Sequence, residues 1–376
     1  MKKTLIALAA VAATSAAFAQ SSVTAYGLID LGVAASKDSY RDGAATQSFK
    51  KNGLESMLNG SRFGFRGTED LGGGLKGNFL LEYAVQPDEA TTSMANRQAY
   101  VGLAGEFGEV RLGRQYTAYH SHQAGFDMVN GNTNTLPGYL VGWTTRVRSS
   151  NAINYTTPNF SGVTASVQYG FGESVDASGV ANDKNNNNWG FNLKYANGPL
   201  VVGLGYDKVK DPKSTQQPPT SRTNPNVALI NWTPVTGAST TNQAEGFAGF
   251  DGSESLTTYN LAASYDLGVA KVAVQYFNAK EKYAAGEGDG KFTGYVLGVS
   301  APVTSALTLS ASYSDGTVKE SGVKVGDAKG YQLLAGYALS KRTTVYAAYG
   351  QDKLKATDGS EEAKRSQYGV GVRHTF

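Results

Sequence analysis

The residues of this sequence best equipped for chemistry are few. His120 and His122 stand one residue apart in AYHSHQAGFD, and His374 is the only other histidine. Two imidazoles could begin a metal site, but a closed site needs four donors, and this stretch brings no thiolate and no cluster of acids. The chain has no cysteine, so thiol nucleophiles, thiolate metal centres and disulfide staples are excluded. A lipase or protease needs a histidine fixed beside a serine and an acid, and three such histidines supply that poorly. Gly72-Gly73-Gly74 has the composition of a phosphate cradle, but no helix-forming run follows it, so it reads as a turn. No cofactor, metal or catalytic constellation is implied. What remains is electrostatic. Arg62, Arg66, Arg97, Arg111, Arg114 and Arg148, with Lys76, are permanent cations spread over the first half of the chain. They can pair with carboxylates such as Glu69, Asp70 or Glu82, or hold mobile anions.

Those cations sit in segments that alternate apolar and polar residues. Val163, Ala165, Val167, Tyr169 and Phe171 alternate with Thr164, Ser166, Gln168 and Gly170. Trp189–Tyr195, Leu307–Tyr313, Tyr331–Leu339 and Val345–Tyr349 behave alike, and so does the terminal SQYGVGVRHTF. Period-two alternation marks strands with one apolar face. The count of 46 Gly, 22 Tyr and 15 Phe also favours strands and turns.

The N-terminus reads MKKTLIALAAVAATSAAFAQ. Lys2 and Lys3 precede a short apolar run, and Ala17-Phe18-Ala19 precedes Gln20, the pattern of a cleaved bacterial signal peptide over residues 1–19. Beyond it no apolar run is long enough for a spanning helix. The formal charge is +3 with both signal lysines included, too little for a nucleic-acid binder.

Short and long connections take turns along the chain. Tight ones include Asp70–Gly74, Phe160–Gly162, Asp266–Gly268 and Ser340–Arg342. Long polar ones include Lys37–Met57, Gln86–Ala95, Ala118–Arg146, Ser174–Asn187 and Asp211–Glu254, the last with half of the ten prolines. Seven short turns and eight long loops predict sixteen strands, the first near 23–36 and the last near 366–376. All short turns then lie at one end, as in an antiparallel up-and-down sheet. Strands of about 9–11 residues, even in number, suit a transmembrane barrel. In lipid every strand edge must be paired, so the last strand is predicted to close on the first. Residues 20–376 form one all-β domain, a transmembrane antiparallel β-barrel. A soluble extracellular β-protein such as an adhesin is the competing all-β reading.

Several segments carry a resemblance. SSVTAYGLIDLGV, SRFGFRGTEDLGGGLKGNFLLEY, AYVGLAGEFGEVRLGRQY, NAINYTTPNFSGVTASVQY and the terminal GVGVRHTF resemble the trimeric general porins of Gram-negative bacteria, most closely the betaproteobacterial, neisserial-type porins. The resemblance implies a sixteen-stranded barrel in the cell outer membrane, among outer-membrane lipid and lipopolysaccharide. It implies a homotrimer, passive diffusion of ions and small hydrophilic solutes, and a third long loop folded into the lumen. It also implies that Phe376, with Val372, Val370 and Tyr368 on the same face, is read by the barrel-assembly machinery. His374 replaces the apolar residue more usual in that signal. A substrate-specific channel of the same fold stays open.

Parity assigns the wall. With Phe63 and Phe65 outward, Arg62 and Arg66 face in. Phe79, Leu81 and Tyr83 outward put Lys76 and Glu82 inward, and the same reasoning turns Arg111 and Arg148 inward. In the family the arginine of S-R-x-G lines a basic wall at the constriction, which Arg62 matches, and Arg97 and Arg148 resemble further members. The third long loop offers one acid, Asp127. Several inward arginines against one loop acid predict moderate anion preference. Arg114 shares a face with Val110 and Leu112, which would aim its charge at lipid. The resemblance implies that it latches onto Asp88 or Glu89 of a neighbouring subunit; a guanidinium snorkelling at the upper rim is the alternative.

Overall fold

In a computed structural model, the described residues are 22–42, 44–88, 96–129, 147–172, 187–210, 253–283, 289–359 and 361–376. The predicted signal segment, Glu89 and much of the long loops lie outside them. Seventeen strands form one antiparallel sheet. Sixteen of them build a closed barrel. The first strand, β1 (Ser22–Asp42), pairs with the last, β17 (Glu361–Thr375), from Leu28↔Thr375 to Asp42↔Glu361. Beyond that register Gly27 and Phe376 exchange two backbone hydrogen bonds of 3.0 and 3.1 Å. From Gly27 to Asp42 the seam is paired throughout, as a sheet in hydrocarbon requires.

The additional strand is β2 (Ala45–Glu55), inside the stretch read from sequence as the loop Lys37–Met57. Along its lower part β1 pairs with β3 (Arg62–Gly72), and along its upper part with β2. β2 therefore continues the sheet above the point where β3 ends. Nearly all of its residues are exposed. With water on both faces nothing selects alternation, which is why the segment has no strand pattern in the sequence.

The rest of the wall follows in chain order: β4 (Leu75–Ala84), β5 (Asn96–Gly105), β6 (Gly108–Tyr116), β7 (Arg148–Thr156), β8 (Val163–Gly170), β9 (Asn188–Asn197) and β10 (Leu200–Lys210). Then come β11 (Ser253–Asp266), β12 (Lys271–Tyr283), β13 (Gly290–Pro302), β14 (Leu307–Glu320), β15 (Val323–Ala338) and β16 (Thr343–Ala356). Short turns join the lower ends. At Asp70–Leu75 three glycines in a row take positive φ (85°, 60° and 80°), a conformation closed to most side chains, and the Gly72 amide donates to Asp70 Oδ1.

Alternation sorts the faces. Val101, Leu112, Ile153, Val167, Leu261, Leu297 and Val370 are exposed outward, while Gln168, Asn260, Gln275 and Gln332 point inward and are buried. Outward rings form a girdle towards the upper side: Trp189 with Tyr206 (4.8 Å), Tyr259 with Tyr276 (6.3 Å), Tyr295 with Tyr313 (6.4 Å) and Tyr331 with Tyr349 (5.6 Å). Such rings suit the boundary between acyl chains and headgroups. The inner face is not uniformly polar. Leu256, Phe277, Phe292, Val296, Val318 and Leu354 form a buried cluster on the upper inner wall of β11–β16.

A second inner cluster gathers Met57, Leu58, Val129, Tyr346 and Ala348 beside the seam. Here the chain returning from β2 is fastened to β1. Asp30, fully buried, accepts from Asn59 N at 2.8 Å and from Tyr346 Oη at 2.5 Å. The Asp30 amide donates to Ser61 Oγ, and Arg373 donates to Asn59 Oδ1. Tyr346 reaches Asp30 across β17 because Gly371 lies between them: a Cβ there would collide with the tyrosine oxygen.

Candidate functional site

Three of the arginines singled out from sequence meet on the inner wall of β3–β7. Arg97 Nε donates to Glu82 Oε1 at 2.8 Å, and Arg62 Nε lies 3.7 Å from Glu82 Oε2. Arg97 Nη2 donates to Tyr116 Oη at 2.8 Å, Arg148 Nη2 approaches the same oxygen at 3.4 Å, and the Arg148 guanidinium lies 4.8 Å from the Tyr116 ring centroid. Tyr26 Oη donates to Glu82 Oε2 at 3.1 Å, and Arg66 lies over the Tyr26 ring at 5.3 Å. Two guanidinium groups thus share the Glu82 carboxylate, and Arg148 joins them through Tyr116. That leaves an excess of two positive charges facing the lumen, which attracts mobile anions.

Arg97 reaches this wall against parity. Val101 and Leu103, on its side of β5, are exposed outward. A bulge between Glu82 and Tyr83, opposite Asn96 and Gln98, swings Arg97 inward. Strict period two would aim it at lipid; only the family resemblance placed it in the wall. Tyr26 and Tyr116 were not singled out from sequence, although both hold the cluster together, and the inward parity of Tyr26 with Leu28 and Asp30 was a usable sign.

The other predicted site residues lie elsewhere. Arg111 is paired with Glu109 and stacked 5.0 Å from the Tyr100 centroid, lower on the wall. Lys76 is exposed beside the short turn after β3. It lies six residues below Glu82 on β4, about 20 Å at the rise of an extended strand. Asp127 turns back on its own chain, accepting from Val129 N at 3.0 Å. Arg114, beside a bulge at Gly113/Gln115, donates to Ser150 Oγ at 2.8 Å on the outer side. Asp88 is exposed just after β4.

After β6 the chain enters a short helix, α1 (Ala118–Ala124), in a stretch whose composition predicts a long loop. Thr117 caps it, its hydroxyl accepting from His120 N at 3.0 Å. The helix is seated on inward-facing groups of β8–β11. Ala118 N donates to Gln168 Oε1, Asn192 Nδ2 donates to Ala118 O, and His122 Nε2 bonds Asn260 Oδ1 at 2.9 Å. Gly203 and Gly205 give His122 its room, since a Cβ on either would stand 2.7 Å from the ring. Further on, Met128 lies against Gly298 of β13 and Val129 joins the cluster at the seam. Residues 130–146 lie outside the described residues.

Burial pushes the His122 imidazole down to about 4, with the Lys194 charge lowering it further and the Asn260 bond opposing both. The ring is therefore neutral at pH 7. Released from its seat, it would titrate near 6.5. The seat then loses stability as pH falls from about 6.5 towards 4, by up to roughly 3 kcal/mol. Single-channel recordings are expected to be quiet from pH 8 to 7 and to show growing current noise between pH 6 and 4. His122→Gln, which keeps an amide towards Asn260, should remove that dependence.

A family model described as Gram-negative porin matches residues 5–358. Outer membrane porin protein 32 of Delftia acidovorans is 35% identical, with all of both chains covered. An outer membrane porin protein of Bordetella pertussis is 31% identical over the same full extent. Among solved structures, the anion-selective porin from Comamonas acidovorans superposes with a TM-score of 0.71 at 27% identity, covering 95% of this chain and all of that one. OmpT of Vibrio cholerae in a trimer form superposes at 0.63, covering 95% of this chain and 99% of that one; at 16% identity it shares the fold alone. A closed antiparallel barrel with apolar residues outside, an arginine-rich inner wall and full-length kinship to outer-membrane proteins leads to one assignment: the chain belongs to the Gram-negative porins, in the cell outer membrane.

Proposed function

We infer that the barrel is a water-filled channel passing ions and small hydrophilic solutes by diffusion, with a moderate preference for anions. The observation that carries the preference is the cluster in which Arg62 and Arg97 flank Glu82 and Arg148 lies on Tyr116, with Glu82 the one carboxylate among its described residues. The description of the Comamonas relative as anion-selective agrees with it. The third long loop, of which Thr117–Val129 lies against inward-facing groups, folds into the lumen and narrows it opposite the arginines. The test is the zero-current potential of the reconstituted channel in a salt gradient. A potential of the sign set by anions is expected, and one set by cations would refute the preference.

The working unit is a homotrimer, as in the trimer form of OmpT. Arg114, near the upper end of β6 on the outer side, reaches Asp88 or Glu89 of a neighbouring subunit. Arg114→Ala is expected to lower the temperature at which the trimer dissociates in mild detergent by several degrees, read as loss of the slow band on a semi-native gel. An unchanged dissociation temperature would exclude the latch. The outward face Tyr368, Val370, Val372 and Phe376 serves as the assembly signal. Deleting Phe376, which also removes its two bonds to Gly27, should cut the folded protein recovered from outer membranes severalfold with synthesis unchanged.

A further inference from the structure

Beneath helix α1, towards the short-turn end, the inner wall of β6–β12 and the underside of the helix bound a chamber of about 500 Å³. That is within the usual range for small-molecule sites. Its lining carries three cations, Arg111, Lys194 and Lys271, and no carboxylate. They stand on β6, β9 and β12, every third strand, so neighbours are offset by about 14 Å across the sheet and by four register positions, roughly 13 Å, along it. Arg111 is neutralised by Glu109. Neither lysine forms an ion pair with a carboxylate among the described residues. Asp266, opposite Lys271 in register, is turned into its own tight turn, accepting from Gly268 N.

Hydroxyls fill the wall between these cations. Thr164 is the register partner of Lys194, Ser166 stands two residues on, and Ser264 lies between Lys194 and Lys271 on β11. Ser264 is 3% exposed, and its hydroxyl has no hydrogen-bond partner among the described residues. A buried hydroxyl without a partner costs stability unless something else satisfies it. Uncompensated ammonium groups call for an anion, and a row of hydroxyls calls for a polyol.

We propose that this chamber is a second solute station, distinct from the arginine wall, that holds a hydroxyl-bearing phosphate ester of monosaccharide size on the periplasmic side of the helix. The phosphate lies on Lys194 and Thr164, where its charge of about −2 replaces the missing carboxylate. The sugar hydroxyls exchange hydrogen bonds with Ser166 and, at the far side, Ser264. Lys271 supplies a second, longer-range attraction. The inference rests on the channel reading, because the lumen is the solute's route, but not on the sign of the ion preference.

The test uses the full-length protein in planar bilayers, with glucose 6-phosphate, glucose and inorganic phosphate as probes. Glucose 6-phosphate is expected to half-block the ionic current at a concentration at least tenfold below either of the others. Lys194→Gln should raise its half-blocking concentration at least fivefold. Ser166→Ala with Ser264→Ala should weaken the block by glucose 6-phosphate and leave that by inorganic phosphate unchanged, separating the polyol contacts from the charge. Equal block by all three probes would overturn the station, as would a block indifferent to Lys194→Gln. A cation-set zero-current potential with the tenfold ratio intact would refute the anion preference and support the station.

Discussion

Replacing Arg62 and Arg148 together by glutamine should abolish the anion preference of the channel. The pair is chosen so that Arg97, bonded to Glu82 at 2.8 Å, keeps the buried carboxylate compensated. Removing all three arginines would strand it, and the barrel wall would suffer for a reason unrelated to selectivity. In the double variant the local charge falls from two positive to none. A unit charge about 4 Å from a passing ion contributes about 1 kcal/mol in water, or roughly fivefold in local concentration. Each such charge enriches anions and depletes cations, so losing two should lower the anion-to-cation permeability ratio by at least about an order of magnitude. The effect must be larger in 0.1 M than in 1 M salt, because the screening length shrinks from about 10 Å to 3 Å. A zero-current potential that stays put in the variant would mean that selectivity is set elsewhere in the lumen.

The largest effect on stability is expected from Asp30→Ala. The carboxylate is fully buried and accepts from Tyr346 across the neighbouring strand and from the amide of Asn59. Alanine leaves a hydroxyl and an amide without their acceptor, at about 1–3 kcal/mol each, so a loss of about 3–4 kcal/mol is expected. Tyr346→Phe removes one bond and should cost about 1–2 kcal/mol. Because the two residues share that bond, the double variant should cost less than the two single losses together. Urea unfolding in detergent micelles, followed by tryptophan fluorescence, measures all three. A loss below 1 kcal/mol for Asp30→Ala would show that the return from β2 to β3 holds the seam without it.

Most of the barrel was legible because lipid on one side and water on the other impose alternation on any strand that crosses. Where both faces meet water, as on β2, that constraint disappears, and a polar strand reads as a loop. Bulges were the second blind spot. Period two places Arg66 and Arg111 correctly but inverts Arg97, because the extra residue opposite Glu82 and Tyr83 leaves no mark in a single sequence. The apolar cluster around Phe277 and Phe292 escaped for a related reason. In VQYFNAK both Tyr276 and Phe277 are aromatic, and nothing local says which of the two faces lipid. Asp30, alone among apolar neighbours in GLIDLGV, was the sign of the seam that composition did offer.

The seam between β1 and β17 has a kinetic side. Its partners, such as Leu28 and Thr375, are separated by nearly the whole chain, the costliest kind of contact to form first. One side of β1 can pair early with β2 and β3, which follow it directly, while the other waits until the last residues arrive. During that interval an unpaired ribbon edge with an apolar flank invites misassociation. The register favours an order of events in which local hairpins form first and the cylinder closes late.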